Sequence, residues 1–340
     1  MTDPDTPVPR VRTIADLARL AGVSTGTVSR ALAGKSLVNT ETRERIQALA
    51  TEHGFRPNQM ASRLRKQRTG VIGVVVPLGH ERRQHLSDPF FMAMLGHLAD
   101  ALTEQGYDLM LSRIIPDAED WLERIVESGM LDGVLLIGQS DQFETIERVA
   151  RRYRPMVVWG AHREGQAHCA IGVDNRLGAR LAGEHLIARG CRRLAFMGEV
   201  RTLELVERYR GLVDATQAAG LPEPLQLDTH LASDVMTAEI GGHLDRALGT
   251  FDGIVAASDV IAMRVVRALM DRGVTVPDMI PVTGFDDLPL AEQVAPRLTT
   301  IRQDLVLGAR GMVDALFARM AGDDVPSVQM APQLIVRETA

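Results

Sequence analysis

The chain has 340 residues, 45% of them hydrophobic and 24% charged, with a formal net charge of −6. That length exceeds one compact core and implies two or three folded units of ordinary globular composition. No run approaches the roughly 18 apolar residues of a membrane span, and the two cysteines, Cys169 and Cys191, lack metal-ligand spacing and exclude a disulfide scaffold.

The charge is uneven. Residues 1–68 hold 12 Lys+Arg against 6 Asp+Glu, a net of +6 that leaves −12 on the rest, and both lysines, Lys35 and Lys66, lie there. A basic head suits a polyanionic partner, although a solvated charged face has the same composition. The opening "MTDPDTPVPRVR" has no apolar segment of the secretory kind, so the cytoplasm is the expected location.

Thr13 is placed to cap a helix carrying Ile14, Leu17, Ala18 and Ala21 on one face. Gly22 ends it, and Ser24 caps a second helix that buries Val28, Ala31 and Leu32 and exposes Thr25, Gly26, Ser29 and Arg30. Helix, short turn, helix is the arrangement whose second helix enters the DNA major groove. A helical hairpin with no nucleic-acid role has the same pattern. A third helix is expected over about Thr40–His53, with Ile46, Leu49 and Ala50 closing a small core beside Phe55. Pro57 then stops it, and Asn58 caps a short Arg-rich helix reaching about Lys66, too short to be stable alone. Met60 and Leu64 share one face among Arg63, Arg65 and Lys66, as apolar wedges do in minor-groove proteins. A flexible linker is the competing reading.

From Val71 onwards, short apolar runs alternate with amphipathic helices. "VIGVVVP", "YDLMLS", "GVLLIG", "PMVVWG", "CAIGVD", "RRLAFMG", "GIVAAS" and "IPVTGF" read as buried parallel strands. Met92–Glu104, Phe143–Tyr153, Arg176–Arg189 and Asp259–Asp271 read as helices between them. This order predicts a doubly wound α/β fold, with ligands at the carboxyl ends of the strands. No phosphate-binding loop, nucleophile elbow or zinc-protease motif is present, so no enzyme, cofactor or metal is expected.

"TIADLARLAGVSTGTVSRAL", "TRERI", "GFRPNQMASRLR", "TGVIGVVVP", "DPFF", "VDN", "GEHL", "RYRG", "AASDVIAM", "VTGFDDLPL" and "LTTIRQD" occur in that order over nearly the whole chain. In these motifs the sequence resembles the lactose-repressor (LacI/GalR) family of bacterial transcription regulators. The resemblance implies an N-terminal three-helix helix-turn-helix domain (1–57), a hinge helix or linker (58–68), and a two-lobed periplasmic-binding-protein-like domain (69–340). Its N-lobe would cover about 70–160 and 301–324, and its C-lobe about 171–297 and 331–340. The family places Thr25, Gly26 and Arg30 at base-reading positions, Leu64 at the centre of a palindromic operator, and Arg65 along the minor groove. Thr27, Ser29, Asn58, Met60 and Ala61 complete the candidate DNA-contacting set. Gly26 offers no side chain, so Thr25 and Arg30 carry more of the readout.

For a small-molecule effector the resemblance points to Asp88, Phe91, Arg208, Ser258, Asp286 and Gln303. Trp159 and Met236 stand near the expected cleft, where they line it or pack into the core. The segment "LGHERRQHLSDPFF" is longer than the family's usual connection, and Gly160 stands where an aspartate is frequent. Two carboxylates with one guanidinium suit a neutral polyol, and glucose or a glucoside is the expected effector. Arg82, Arg83 and Arg113 keep a sugar phosphate open, and a nucleobase is a further alternative. The chain ends "QLIVRETA" without leucine heptads, which predicts a homodimer joined through the α/β lobes. A sugar receptor or transport protein of the same fold is the rival function, disfavoured by the DNA-binding head.

Overall fold

Thr13 opens the first helix, α1 (Ile14–Ala21), with a reciprocal cap. Its hydroxyl accepts from Asp16 N–H at 3.1 Å, and the Asp16 carboxylate accepts from Thr13 N–H at 3.0 Å. Gly22 ends α1 at φ 64°, a conformation favouring glycine. The computed structural model describes residues 11, 13–32, 37–55, 68–79, 82–231 and 233–340. Helices α2 (Thr25–Leu32) and α3 (Thr40–Glu52) complete the first unit, around a core of Leu17, Val28, Ala31, Ile46 and Phe55. The expected hinge falls outside the described residues.

The second unit begins at Gly70. Its first sheet has the order β11-β5-β4-β3-β1-β2, all parallel: β1 (Val71–Pro77), β2 (Asp108–Ile114), β3 (Gly133–Ile137), β4 (Met156–Trp159), β5 (Cys169–Val173) and β11 (Val328–Met330). Period-two alternation covers both faces. Ile72, Val74 and Val76 pack towards α4 (Pro89–Glu104) and α12 (Leu305–Ala321), while Val75 packs with α5 (Trp121–Val126) and α6 (Phe143–Ala150).

The second sheet has the order β12-β10-β9-β8-β6-β7: β6 (Leu194–Met197), β7 (Leu225–Leu227), β8 (Gly253–Ala256), β9 (Val282–Asp286), β10 (Thr299–Arg302) and β12 (Gln333–Ile335). Only the β10–β12 pair is antiparallel. Helices α7 (Asn175–Ala188), α8 (Leu203–Ala218), α9 (Ser233–Ala247), α10 (Asp259–Met270) and the short α11 (Pro289–Gln293) accompany it.

Sheet membership corrects the expected lobe limits. β5 joins the first sheet, so the N-lobe runs on to Val173 instead of ending near residue 160. β10 stays in the second sheet, and β11 carries the N-lobe past residue 324. A buried run such as "CAIGV" reads alike whether it extends one sheet or starts another, and periodicity cannot distinguish the two.

Candidate functional site

In the first unit, the Ser24 hydroxyl accepts from Thr27 N–H at 3.1 Å and caps α2. Burial of Val28 and Ala31 turns Thr25, Gly26 and Arg30 outwards, while Thr27 and Ser29 are half-buried. Arg45 of α3 donates to the Ala21 carbonyl at 2.9 Å, fastening the end of α1 against α3. A Cβ on Gly26 would sit 3.7 Å from Arg30 Nη2 and 3.8 Å from Ser24 Oγ, which is ordinary contact. Packing therefore does not require the glycine. Asn58, Met60, Ala61, Leu64 and Arg65 lie outside the described residues.

In the second unit, the carboxyl ends of strands from both sheets face one cleft. Leu78, Gln84, Asp88, Phe91, Ser140, Trp159 and Gly160 line it from the N-lobe; Glu204, Arg208, Leu231, Ser258 and Asp286 line it from the C-lobe, with Gln303 at the crossover after β10. Seven of the eight expected effector residues thus converge. Met236 does not: it is fully buried in the C-lobe core and borders a neighbouring cavity beyond Asp88 and Leu231.

Arg208 is the best fixed of these side chains. Gly211, three residues on, lets α8 lie against α7, since a Cβ there would fall 2.0 Å from the Arg176 carbonyl oxygen. The guanidinium then reaches under the cleft. Nε donates to Asn175 Oδ1 at 2.8 Å, Nη1 donates to the Ala257 carbonyl at 2.5 Å, and the group stacks 3.7 Å over the Phe285 ring. Asp286 lies 3.8 Å from Nη1 and accepts from Gln303 Nε2 at 2.7 Å. Its φ of 126° is a costly conformation for a residue with a side chain, of the kind found at functional sites. Burial pushes the Asp286 carboxyl well above the usual range, against the pull of Arg208, and burial likewise lowers the Arg208 pKa.

Across the cleft, half-buried Asp88 caps α4 by accepting from Phe90 N–H at 2.9 Å, and it also accepts from Gln84 Nε2 at 3.1 Å. Burial raises its pKa, opposed by those two hydrogen bonds. Phe91 lines the same wall as Asp88. Trp159 packs its ring against α12, where a Cβ on Gly308 would come within 2.2 Å of it, and shows the cleft only part of its indole. Ser258 caps α10 by accepting from Ile261 N–H at 3.3 Å. Arg82 and Arg113 are not among the lining residues. Arg82 pairs with Asp117, and Arg113 donates to the Arg82 and Gln84 carbonyls.

Among the cleft residues not expected from the sequence are Gln84, Asn175 and Glu204. Glu204 reaches from the C-lobe to the Ala161 N–H at 3.2 Å and to Gln139 Nε2 at 3.4 Å, tying the lobes together. Asn175 sits in the "VDN" motif, which signals its importance. Nothing local marks Gln84 or Glu204.

Among the described residues no helix is long and apolar enough to cross a membrane. Residues 13–58 match the family described as bacterial regulatory proteins, lacI family, and residues 184–340 match the periplasmic binding protein-like domain. An HTH-type transcriptional regulator encoded in the aml 5′ region of Streptomyces limosus is 32% identical, covering 97% of this chain and 94% of its own length. The HTH-type regulator CelR of Thermobifida fusca is 31% identical over 96% and 98%. Among solved structures, the lac repressor dimer bound to operator and the anti-inducer ONPF is 23% identical, covers 98% and 99% of the two chains, and superposes with a TM-score of 0.84. A CelR–cellobiose complex is 29% identical over 97% and 100%, with a TM-score of 0.66.

Proposed function

The chain belongs to the lacI family of bacterial regulatory proteins and is a DNA-binding transcriptional regulator, and from that premise we propose that its effector is a neutral sugar of one ring, glucose or a glucoside with a small aglycone. The observation that carries this is the charge balance of the cleft. Arg208 is the only cation among the described lining residues, and its hydrogen bonds to Asn175 and Ala257 and its pairing with Asp286 already spend part of its donors and charge. Asp88 and Glu204 add carboxylate oxygens, so an incoming phosphate would meet acceptors and repulsion, whereas sugar hydroxyls donate to them. Phe91 and Trp159 supply the apolar surface on which a ring face packs. The cleft encloses about 120 Å³, below the ~300–1,000 Å³ common for drug-sized ligands, which favours one ring over a disaccharide.

On this reading the protein is a cytoplasmic homodimer, joined through its α/β lobes, that reads a palindromic operator. Thr25, Thr27, Ser29 and Arg30 of α2 face the major groove with Gly26 between them, and the Asn58–Arg65 segment with Met60, Ala61 and Leu64 engages the minor groove. The effector changes operator affinity by binding one arrangement of the lobes better than another. Calorimetry with D-glucose, methyl glucosides and glucose 6-phosphate tests the effector class. Binding of a neutral sugar is expected, and binding of the phosphate alone sinks the proposal.

A further inference from the structure

The long connection between β1 and α4 returns to the cleft carrying Gln84, whose side chain is part of the lining although the residue is only 4% exposed. Its Nε2 donates to Asp88 Oδ2, and Asp88 is itself held by the Phe90 N–H. The amide therefore has one sensible orientation, because a flip would set Oε1 against a carboxylate. In that orientation Oε1 is buried without a hydrogen-bond partner among the described residues. Leaving such an atom unmatched is costly, so one that lines a cleft calls for a partner.

The backbone that presents Gln84 is anchored. Arg113, near the end of β2, donates to the Arg82 carbonyl at 2.7 Å and to the Gln84 carbonyl at 3.1 Å. Arg82 pairs with Asp117 at 2.5 Å, and Leu78 N–H donates to the Ile114 carbonyl at 2.9 Å. Arg113 thus serves as a positioning residue, spending its charge on the loop's carbonyls. A loop held in this way offers a preorganised acceptor.

We propose that residues 82–88 form an effector-recognition segment in which Gln84 Oε1 accepts a hydrogen bond from an effector hydroxyl adjacent to the one taken by Asp88. The proposal rests on the reading of the cleft as the effector site. It makes Gln84 a specificity residue: effectors with a donor at that position bind, and those deoxygenated or O-methylated there lose affinity, because a buried polar group is then left unmatched.

The test uses the full-length protein and its Gln84→Met variant, which keeps the volume and removes the amide, both the Oε1 acceptor and the Nε2 donor to Asp88. Calorimetry with D-glucose and its monodeoxy forms is expected to show at least about tenfold weaker glucose binding by the variant, the equivalent of one hydrogen bond. The variant should also cease to discriminate against one deoxy position, while discrimination at the others persists. The ligand-free variant should melt close to wild type, since the loss of the Nε2–Asp88 hydrogen bond is offset by removal of the unmatched acceptor. Unchanged glucose affinity, unchanged discrimination at every position, or a ligand-free melting temperature several degrees lower makes Gln84 a structural strut and overturns the proposal. If wild type binds no neutral monosaccharide, the neutral-sugar reading fails. The Gln84 proposal then falls with it, whereas glucose binding by wild type that the variant leaves unchanged overturns the Gln84 proposal alone.

Discussion

Removing the Arg208 side chain tests whether one guanidinium organises both the C-lobe floor and the effector site. In Arg208→Ala, the Asn175 Oδ1 and Ala257 carbonyl acceptors lose donors at 2.8 and 2.5 Å, and Asp286 loses its counter-charge at 3.8 Å. Breaking a buried pair by removing one partner costs about 3–5 kcal/mol. The lower end is expected here, because Asp286 already holds its proton more tightly than a free carboxyl and can neutralise instead of standing as an unpaired charge. For a unit of this size, 3–5 kcal/mol corresponds to a melting temperature lowered by roughly 5–9 °C. Asp286→Asn in the Arg208→Ala background should recover part of the loss, with a coupling of about 1–3 kcal/mol between the two positions. Calorimetric unfolding of the four proteins gives the cycle, and titration with glucose gives the binding counterpart, for which near-complete loss is expected in Arg208→Ala and Asp286→Ala. Additive effects in the cycle, or glucose binding retained in both single variants, would refute the reasoning.

In the head, Gly26→Ala adds a methyl group at ordinary contact distances in an exposed helix. It should stabilise the isolated transition of the head by about 1 kcal/mol while changing operator preference in a binding-site selection; loss of helix on substitution would contradict this. Burial pushes Asp259 up to about 6, against hydrogen bonds from the Thr300 hydroxyl and the Leu288 N–H. A carboxyl with a raised folded-state pKa contributes stability that is present below pH ~4 and lost as pH rises through the folded-state value. Urea melts at pH 4 and 7 should therefore show a shallower pH dependence in Asp259→Asn, and an identical dependence counts against the assignment. Leu64→Ala is expected to weaken specific operator binding by about a few kcal/mol and leave non-specific binding largely intact, as read in gel shifts on operator and scrambled DNA.

What the sequence made legible follows from the physics of each signal. Caps are local, so Thr13, Gly22 and Ser24 marked the helix ends correctly. Buried parallel strands are continuous apolar runs, so the strand positions were readable, but their partners were not, and β5 was placed in the wrong lobe. Met236 lay close to the cleft in sequence terms and turned inwards, because a methionine on a helix between two strands serves equally well on either face. Gln84 and Glu204 escaped notice for another reason. Their roles depend on where Arg113 and Ala161 come to rest, at separations of 29 and 43 residues.

Gly160 shows how such distant placements rewrite a site. The family resemblance expects an aspartate there, on the N-lobe at the end of β4. In this chain a Cβ at position 160 would fall 2.5 Å from Gln139 Nε2 and 2.9 Å from Glu204 Oε1, so the space is already filled. A carboxylate still arrives, but from α8 in the opposite lobe, where it accepts the Ala161 N–H. An aspartate on the strand end would be present whether the lobes stood apart or together. Glu204 meets Ala161 and Gln139 across the lobes, and each contact crosses the cleft beside the effector residues. Moving the acceptor from one lobe to the other thus places a carboxylate in the cleft that also bridges the two lobes, which an aspartate on the strand end would not do.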